Sequence, residues 1–373
     1  MQPPSAPVPA GDEAAPDFQC LHEIVLKARQ NLGQNDWDYI VGGTETETTL
    51  RRNRLALDSI AFRPRVLRDV SAVDAGVREF GRALRLPVFL APVGALESFH
   101  AGAGASAAKA AGAFGAGHML SSVCQPGLEG VAEAAPEALR LYQLYALGDD
   151  GFVDDHVRRA LKAGYAGFCM TVDTALYSRR ERDIAKRHVT AGRRRAANRV
   201  HLARLDWRTV KRVKAMLDVP LILKGIATAE DARLAVEHGV DWIYVSNHGG
   251  RQLDHGRGAM EMLPEILDAA AGKARIMIDG SFCRGSDIVK ALAAGAHLVG
   301  LGRMQCYALA AAGEAGVVRM LKLLEDEVKR CLGLMGVTSF KALDKSYLHA
   351  AAPANPPGVL SAFPLLRIED YRY

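Results

Sequence analysis

The sequence predicts an α/β fold, a (β/α)8 TIM barrel with an N-terminal helical extension, from three observations. Eight short apolar runs alternate with helical, Ala-rich patterns between Leu86 and Arg303. Each run is continuous rather than alternating, as expected for parallel strands covered on both faces. The runs also tend to finish on polar or charged residues, and in a barrel all such ends converge on the rim that carries active sites. A doubly wound open sheet is the competing architecture.

Taken in order, residues 1–16 are rich in Pro and Ala and are expected to be disordered. Apolar spacing through Leu21, Ile24, Val25, Ala28 and Leu32 predicts a helix. The expected strands are 86–92, 118–122, 139–145, 166–173, 220–225, 242–247, 274–280 and 298–303. Helical patterns such as 229–237 and 285–294 lie between them. The expected division is a barrel domain over 17–349, with a mobile basic loop at 185–204 and a C-terminal tail at 350–373. Gly102-Ala-Gly104-Ala-Ser-Ala107 resembles a dinucleotide fingerprint but lies beyond its strand and lacks the acidic residue that motif needs. It reads as a small-residue helix packed on the barrel.

Composition narrows the function classes. The chain is 49% hydrophobic and 24% charged, with a net charge of +5, too mild to argue for nucleic acid. Its six cysteines are far apart, with no metal-ligand spacing, so no metal is expected and a reducing, cytoplasmic interior is. No apolar run is long enough for a membrane span. Seven Lys or Arg crowd into 185–204, read as a solvated loop over the rim rather than a nucleic-acid or membrane contact.

The chemistry gathers at the strand ends. His248-Gly-Gly-Arg251 places a proton acceptor and a carboxylate-gripping guanidinium around two glycines, although such a stretch is also compatible with a charged turn. Asp173 is either a cap or the carboxylate that orients an imidazole. Lys224 closes the run P-L-I-L-K-G, and a buried ammonium there needs a partner, either a structural ion pair or a cofactor that becomes negative on reduction. The loops at 279–285 and 301–303 combine backbone N–H groups with arginine, as a phosphate site does in this part of a barrel.

Together these residues resemble the FMN-dependent α-hydroxy-acid oxidase and dehydrogenase family, from about Trp37 to Leu348. S-N-H-G-G-R-Q-L-D is the most specific motif. W-D-Y-I-V-G-G, F-R-P-R-V-L-R-D-V, L-S-S, Y-Q-L-Y, T-V-D-T and D-I-V-K-A-L-A-A-G-A support it. The resemblance implies that the cofactor is FMN and that an (S)-2-hydroxy acid is oxidised to the 2-oxo acid. It implies that His248 is the base and Asp173 its holder. Arg251 and Arg180 would bind the substrate carboxylate, with Tyr39 and Tyr145 hydrogen-bonding the substrate. Pro92, Val93 and Gly94, with Ser121, Gln143, Thr171, Lys224 and Ser246, would surround the flavin. Asp279, Ser281, Gly302 and Arg303 would hold its ribityl and phosphate. A homotetramer is also implied.

Several residues depart from that pattern. Cys283 stands where the family usually has an arginine, leaving Arg284 and Arg303 as the cations for the phosphate. Val123 replaces a large aromatic found in some members, and Tyr177 is a further pocket residue. Gly94 occupies a position where many oxidases carry alanine, which tilts the expectation toward a dehydrogenase with an acceptor other than oxygen, such as a quinone. Two other readings stay open: a non-redox FMN isomerase, and a non-catalytic binding protein whose flavin site has decayed.

Overall fold

The computed structural model describes residues 17–189, 194 and 200–367. The segment expected to be disordered, 1–16, and most of the middle of the basic loop lie outside the described residues.

Eight parallel strands close into a barrel: β1 (Val88–Leu90), β2 (Gly117–Ser121), β3 (Leu139–Leu144), β4 (Phe168–Thr171), β5 (Leu221–Ile226), β6 (Trp242–Val245), β7 (Arg275–Ile278) and β8 (Leu298–Leu301). Every neighbour pairs in sequence order, and β8 pairs with β1 to complete the ring. All eight expected runs are strands, and the closed ring excludes the open sheet. The continuous apolar runs have a physical reason. One face of each strand fills the interior with residues such as Phe89, Met119, Leu141, Ile222 and Met277, while the other packs on helices. Each such buried side chain contributes roughly 1.5–3 kcal/mol of transfer free energy.

Among the described residues, three helices precede the barrel: α1 (Leu21–Asn31), α2 (Gln34–Val41) and α3 (Thr48–Asp58). The apolar stripe read from the sequence is the buried face of α1, with Leu21, Ile24, Val25 and Ala28 inaccessible. The barrel helices are α4 (Ala103–Phe114), α5 (Leu128–Ala134) and α6 (Asp150–Lys162), and a short α7 (Glu181–Ala185) lies in the loop after β4. They continue as α8 (Trp207–Met216), α9 (Ala229–Glu237), α10 (Ala259–Ala270), α11 (Gly285–Ala294) and α12 (Arg303–Leu334). The decoy fingerprint is the start of α4, burying Ala103, Gly104, Ala107 and Ala108. Helix α12 breaks at Ala312 and Gly313, and the Asn31 amide donates to the carbonyls of Ala310 and Ala311 freed there, at 2.9 and 3.2 Å.

A hairpin (Val77–Glu79 with Arg82–Leu84) packs on the barrel interior, with Phe80 stacked on Trp242 at 4.9 Å. The segment after residue 350 packs back on α1, where Phe363 is fully buried edge-on against His22. Among the described residues, no helix is long and apolar enough to cross a membrane.

Candidate active site

A cleft of about 1210 Å³, counting its open mouth, lies at the C-terminal ends of the strands. Its residues come from most of the strand ends, as a barrel rim requires. Lys224, on β5, lines the cleft, whereas Ser121, Gln143, Thr171 and Ser246, at, near or just past the ends of β2, β3, β4 and β6, are buried and are not among its lining residues. Thr171 and Lys224 are in register. Ser246 follows β6, Asp279 follows β7, and Gly302 caps α12 after β8.

The turn after β6 is built for close approach. His248, Gly249 and Gly250 take φ values of 59°, 65° and 74°, three left-handed residues in a row. Glycine adopts this region freely, and a Cβ on Gly250 would come within 2.5 Å of the Leu50 backbone. For His248 the same conformation is strained, and strain of this kind concentrates at functional sites. The Ser246 hydroxyl accepts from the His248 N–H at 3.0 Å and braces it.

The imidazole sits between two partners. Nδ1 lies 3.1 and 3.3 Å from the Asp173 oxygens, and Nε2 lies 3.3 Å from the Tyr145 hydroxyl. Burial lowers the His248 pKa; Asp173 opposes this, Lys224 and Arg180 reinforce it, and the net shift is downward. For Asp173, burial works upward, but His248 and Lys224 outweigh it and hold the carboxyl below its ordinary value. The result is a neutral histidine beside an ionised aspartate, the pairing a general base needs.

Lys224 is buried, and its Nζ donates to Ser246 Oγ at 2.8 Å and lies 3.4 Å from Asp279 Oδ2. Asp279 also accepts from Ser246 at 2.6 Å and from the Tyr244 hydroxyl at 2.8 Å. Burial would lower the Lys224 pKa, yet Asp279 and Asp173 raise it, so the ammonium stays charged. Lys224 is therefore part of an ion pair and also faces the cleft.

The two carboxylate-binding candidates are close. The Arg251 guanidinium lies over the Tyr39 ring at 4.8 Å, and that of Arg180 at 6.0 Å. Arg251 Nη1 donates to the carbonyls of Tyr39 and Gly42 at 2.6 and 2.8 Å, which terminate α2. Burial and the neighbouring Arg180 bring its pKa down to about 9, a surplus of buried positive charge that an anion would relieve. The Tyr39 hydroxyl donates to Gly94 O at 3.4 Å.

The phosphate end differs from expectation. Arg303 lines the cleft, but its guanidinium donates to the carbonyls of Ile40, Gly42 and Gly249 at 2.9, 3.1 and 3.0 Å. Helix ends leave carbonyls without partners, and Arg303 satisfies those of α2. Arg284 is not among the residues lining the cleft; it is engaged by Glu327 at 2.5 Å, with a weaker contact to Ala362 O. Cys283 does line it, and burial pushes its thiol up to about 12, so it carries no charge.

Several buried polar atoms have no partner among the described residues: both amide atoms of Gln143, Thr171 Oγ1 and Ser281 Oγ. Buried polar groups are rarely left unpaired. Their places on the rim are those expected to meet a flavin and its side chain, and the residues present fit FMN.

The sequence reading missed Phe99, which stacks with Tyr39 at 6.0 Å in the cleft wall. It also missed Asn53 and Arg54, buried on α3, and Asp254, whose carboxylate accepts from Thr46 and Thr49 at the start of α3. An asparagine and an arginine on the same helix face as Leu50 and Leu57 were the available signal, because buried polar side chains need dedicated partners. Among the described residues, no group of His, Cys, Asp and Glu is placed to hold a metal ion.

A family model described as FMN-dependent dehydrogenase matches residues 28–350. The chain is 37% identical to glycolate oxidase 1 of Oryza sativa subsp. indica over 347 residues, 87% of this chain and 94% of that protein. It is 36% identical to the L-lactate oxidase of Nostoc sp. over 355 residues, 88% and 97% of the two chains. Mandelate oxidase solved with (S)-4-hydroxymandelic acid superposes with a TM-score of 0.82 at 37% identity, covering 87% of this chain and 97% of that one. With a barrel rim that fits FMN and a family match spanning nearly all of the barrel, this chain belongs to the FMN-dependent dehydrogenase family.

Proposed function

We propose that the protein oxidises an (S)-2-hydroxy acid to the 2-oxo acid, with His248 as the base. The observation that carries this reading is the His248 imidazole held by Asp173 at Nδ1, with Nε2 toward Tyr145 and two guanidiniums nearby. Arg180 and Arg251 hold the substrate carboxylate and so orient the hydroxyl-bearing carbon. Tyr39 and Tyr145 hydrogen-bond the substrate's oxygen atoms. His248 Nε2 accepts the proton that leaves the substrate, and Asp173 stabilises the resulting imidazolium. FMN, when bound, supplies the two-electron acceptor. Gln143, Thr171 and Ser121 would hold its ring, and Ser281 and Arg303 its ribityl and phosphate. Lys224 keeps a positive charge beside a group that gains electrons.

Val93, Phe99 and Val123 give the cleft an apolar part of its lining. It supports a substrate with an apolar side chain. The oxidase names of the relatives support oxygen as the acceptor, against the tilt drawn from Gly94. A homotetramer in a reducing, cytoplasmic interior completes the proposal, and the cysteines among the described residues are all free. The test is anaerobic mixing of the flavin-loaded protein with glycolate, L-lactate and (S)-mandelate. Bleaching of the flavin absorption is expected, faster with the larger apolar acids; a loaded protein that none of them bleaches would sink the reading.

A further inference from the structure

Two adjacent residues of α3, outside the barrel, reach the neighbouring loops that follow β6 and β7 and contribute to the cleft. Arg54 is 3% exposed, and its Nη1 and Nη2 each donate to one oxygen of Asp287 at 2.8 Å. Asp287, 1% exposed, accepts in turn from the backbone N–H groups of Cys283 and Arg284, both at 3.0 Å. Arg54 Nη1 also donates to the Ser281 carbonyl at 3.3 Å. The guanidinium is kept in its plane from the other side by Asp58, at 2.9 Å from Nε. This fork-to-fork geometry fixes orientation as well as position, and what it fixes is the backbone of 281–284.

Asn53 does the same for the other loop. It is 1% exposed and exchanges reciprocal amide hydrogen bonds with Asn247, at 2.9 and 2.8 Å. Asn247 Oδ1 also accepts from the Gly250 N–H at 3.1 Å, inside the turn that presents His248 and Arg251. Asn53 Oδ1 also accepts from the Ala259 N–H at 2.9 Å. Neither Asn53 nor Arg54 lines the cleft.

We propose that Asn53 and Arg54 are positioning residues with separable tasks. Arg54, through Asp287, sets the loop that receives the phosphate end of FMN. Asn53, through Asn247, sets the turn that carries His248 and Arg251. The inference rests on the reading of the site given above. It goes beyond that reading by giving a helix of the N-terminal extension a function in assembling the site.

The test separates binding from chemistry. FMN is titrated into the flavin-free full-length protein and followed by flavin fluorescence, which requires no turnover. Reduction by the best hydroxy acid is then measured at saturating FMN. Arg54→Met/Asp287→Asn, which removes both charges of the buried pair and leaves only the partly exposed Asp58 without its partner, should raise the FMN Kd by about tenfold or more, in the range typical of supporting-residue losses. Its reduction rate at saturation should stay within a few-fold of the parent. Arg54→Lys, which keeps the charge but loses the fork, should fall between. Asn53→Ala should leave the FMN Kd near the parent value and slow reduction by about tenfold to a hundredfold, because small misplacements of reacting groups are costly. A purely structural role would lower the melting temperature of all three variants and move neither quantity. That outcome overturns the inference, as does an equal effect of both substitutions on both quantities. A parent protein that takes up no FMN would overturn the reading of the site itself.

Discussion

Because burial outweighs Asp173 in setting the pKa of His248, the imidazole is neutral over most of the physiological range and protonates only under acidic conditions. The sign of the pH dependence follows: the base is active when unprotonated, so flavin reduction should fall as pH drops through a pKa below the ordinary value of about 6.5. Stopped-flow reduction rates across pH check this, and an acid limb centred above that value would contradict it. Asp173→Asn removes the charge that raises this pKa and stabilises the imidazolium. Reduction should slow by about 10²–10⁴-fold while FMN stays bound, read from the same rates and from the flavin spectrum. Gly94 offers a packing test. A Cβ there would come within 2.7 Å of Val123 Cγ2, and Val123 is only 8% exposed. Gly94→Ala should therefore destabilise the protein by about 1–3 kcal/mol, and Val123→Ala in the same chain should restore most of the loss in urea unfolding.

At the scale of elements, β5, β6 and β7 share one buried network of Lys224, Tyr244, Ser246 and Asp279. Tyr244→Phe removes one donor from Asp279 and should cost about 1–3 kcal/mol in chemical denaturation, with a smaller effect if Lys224 moves closer to compensate. The strands that carry this network were legible because parallel strands buried on both faces leave long apolar runs, and because their last residues change character abruptly. Six strands were read one or two residues too wide at an end and the other two were shifted by one residue, since polar rim residues such as Asp173 and Asn247 follow the apolar run past the last ladder hydrogen bond. The helices at 229–237 and 285–294 were legible to the residue. What α3 does was not legible. Its buried Asn53 and Arg54 find partners more than 190 residues away, and no local pattern encodes such pairing. The commitments of Arg303 and Arg284 were hidden for the same reason, since they depend on the end of α2 and on Glu327.

At the scale of the molecule, the barrel does one thing for function: it points eight strand ends at one place, so residues scattered from Pro92 to Arg303 meet in a single cleft. The N-terminal helices complete that cleft rather than merely covering the barrel. Tyr39 comes from α2, whose last carbonyls hold Arg251 and Arg303, and α3 braces two of the loops. The central claim is that this assembly removes a proton from a hydroxy acid at His248 while electrons pass to FMN. The most direct measurement is anaerobic stopped-flow absorbance of the flavin band after mixing with a 2-hydroxy acid, for the parent and for His248→Ala. The parent should bleach rapidly, and the variant should hold FMN yet bleach at least about a hundredfold more slowly. Equal bleaching in the two proteins would contradict the account.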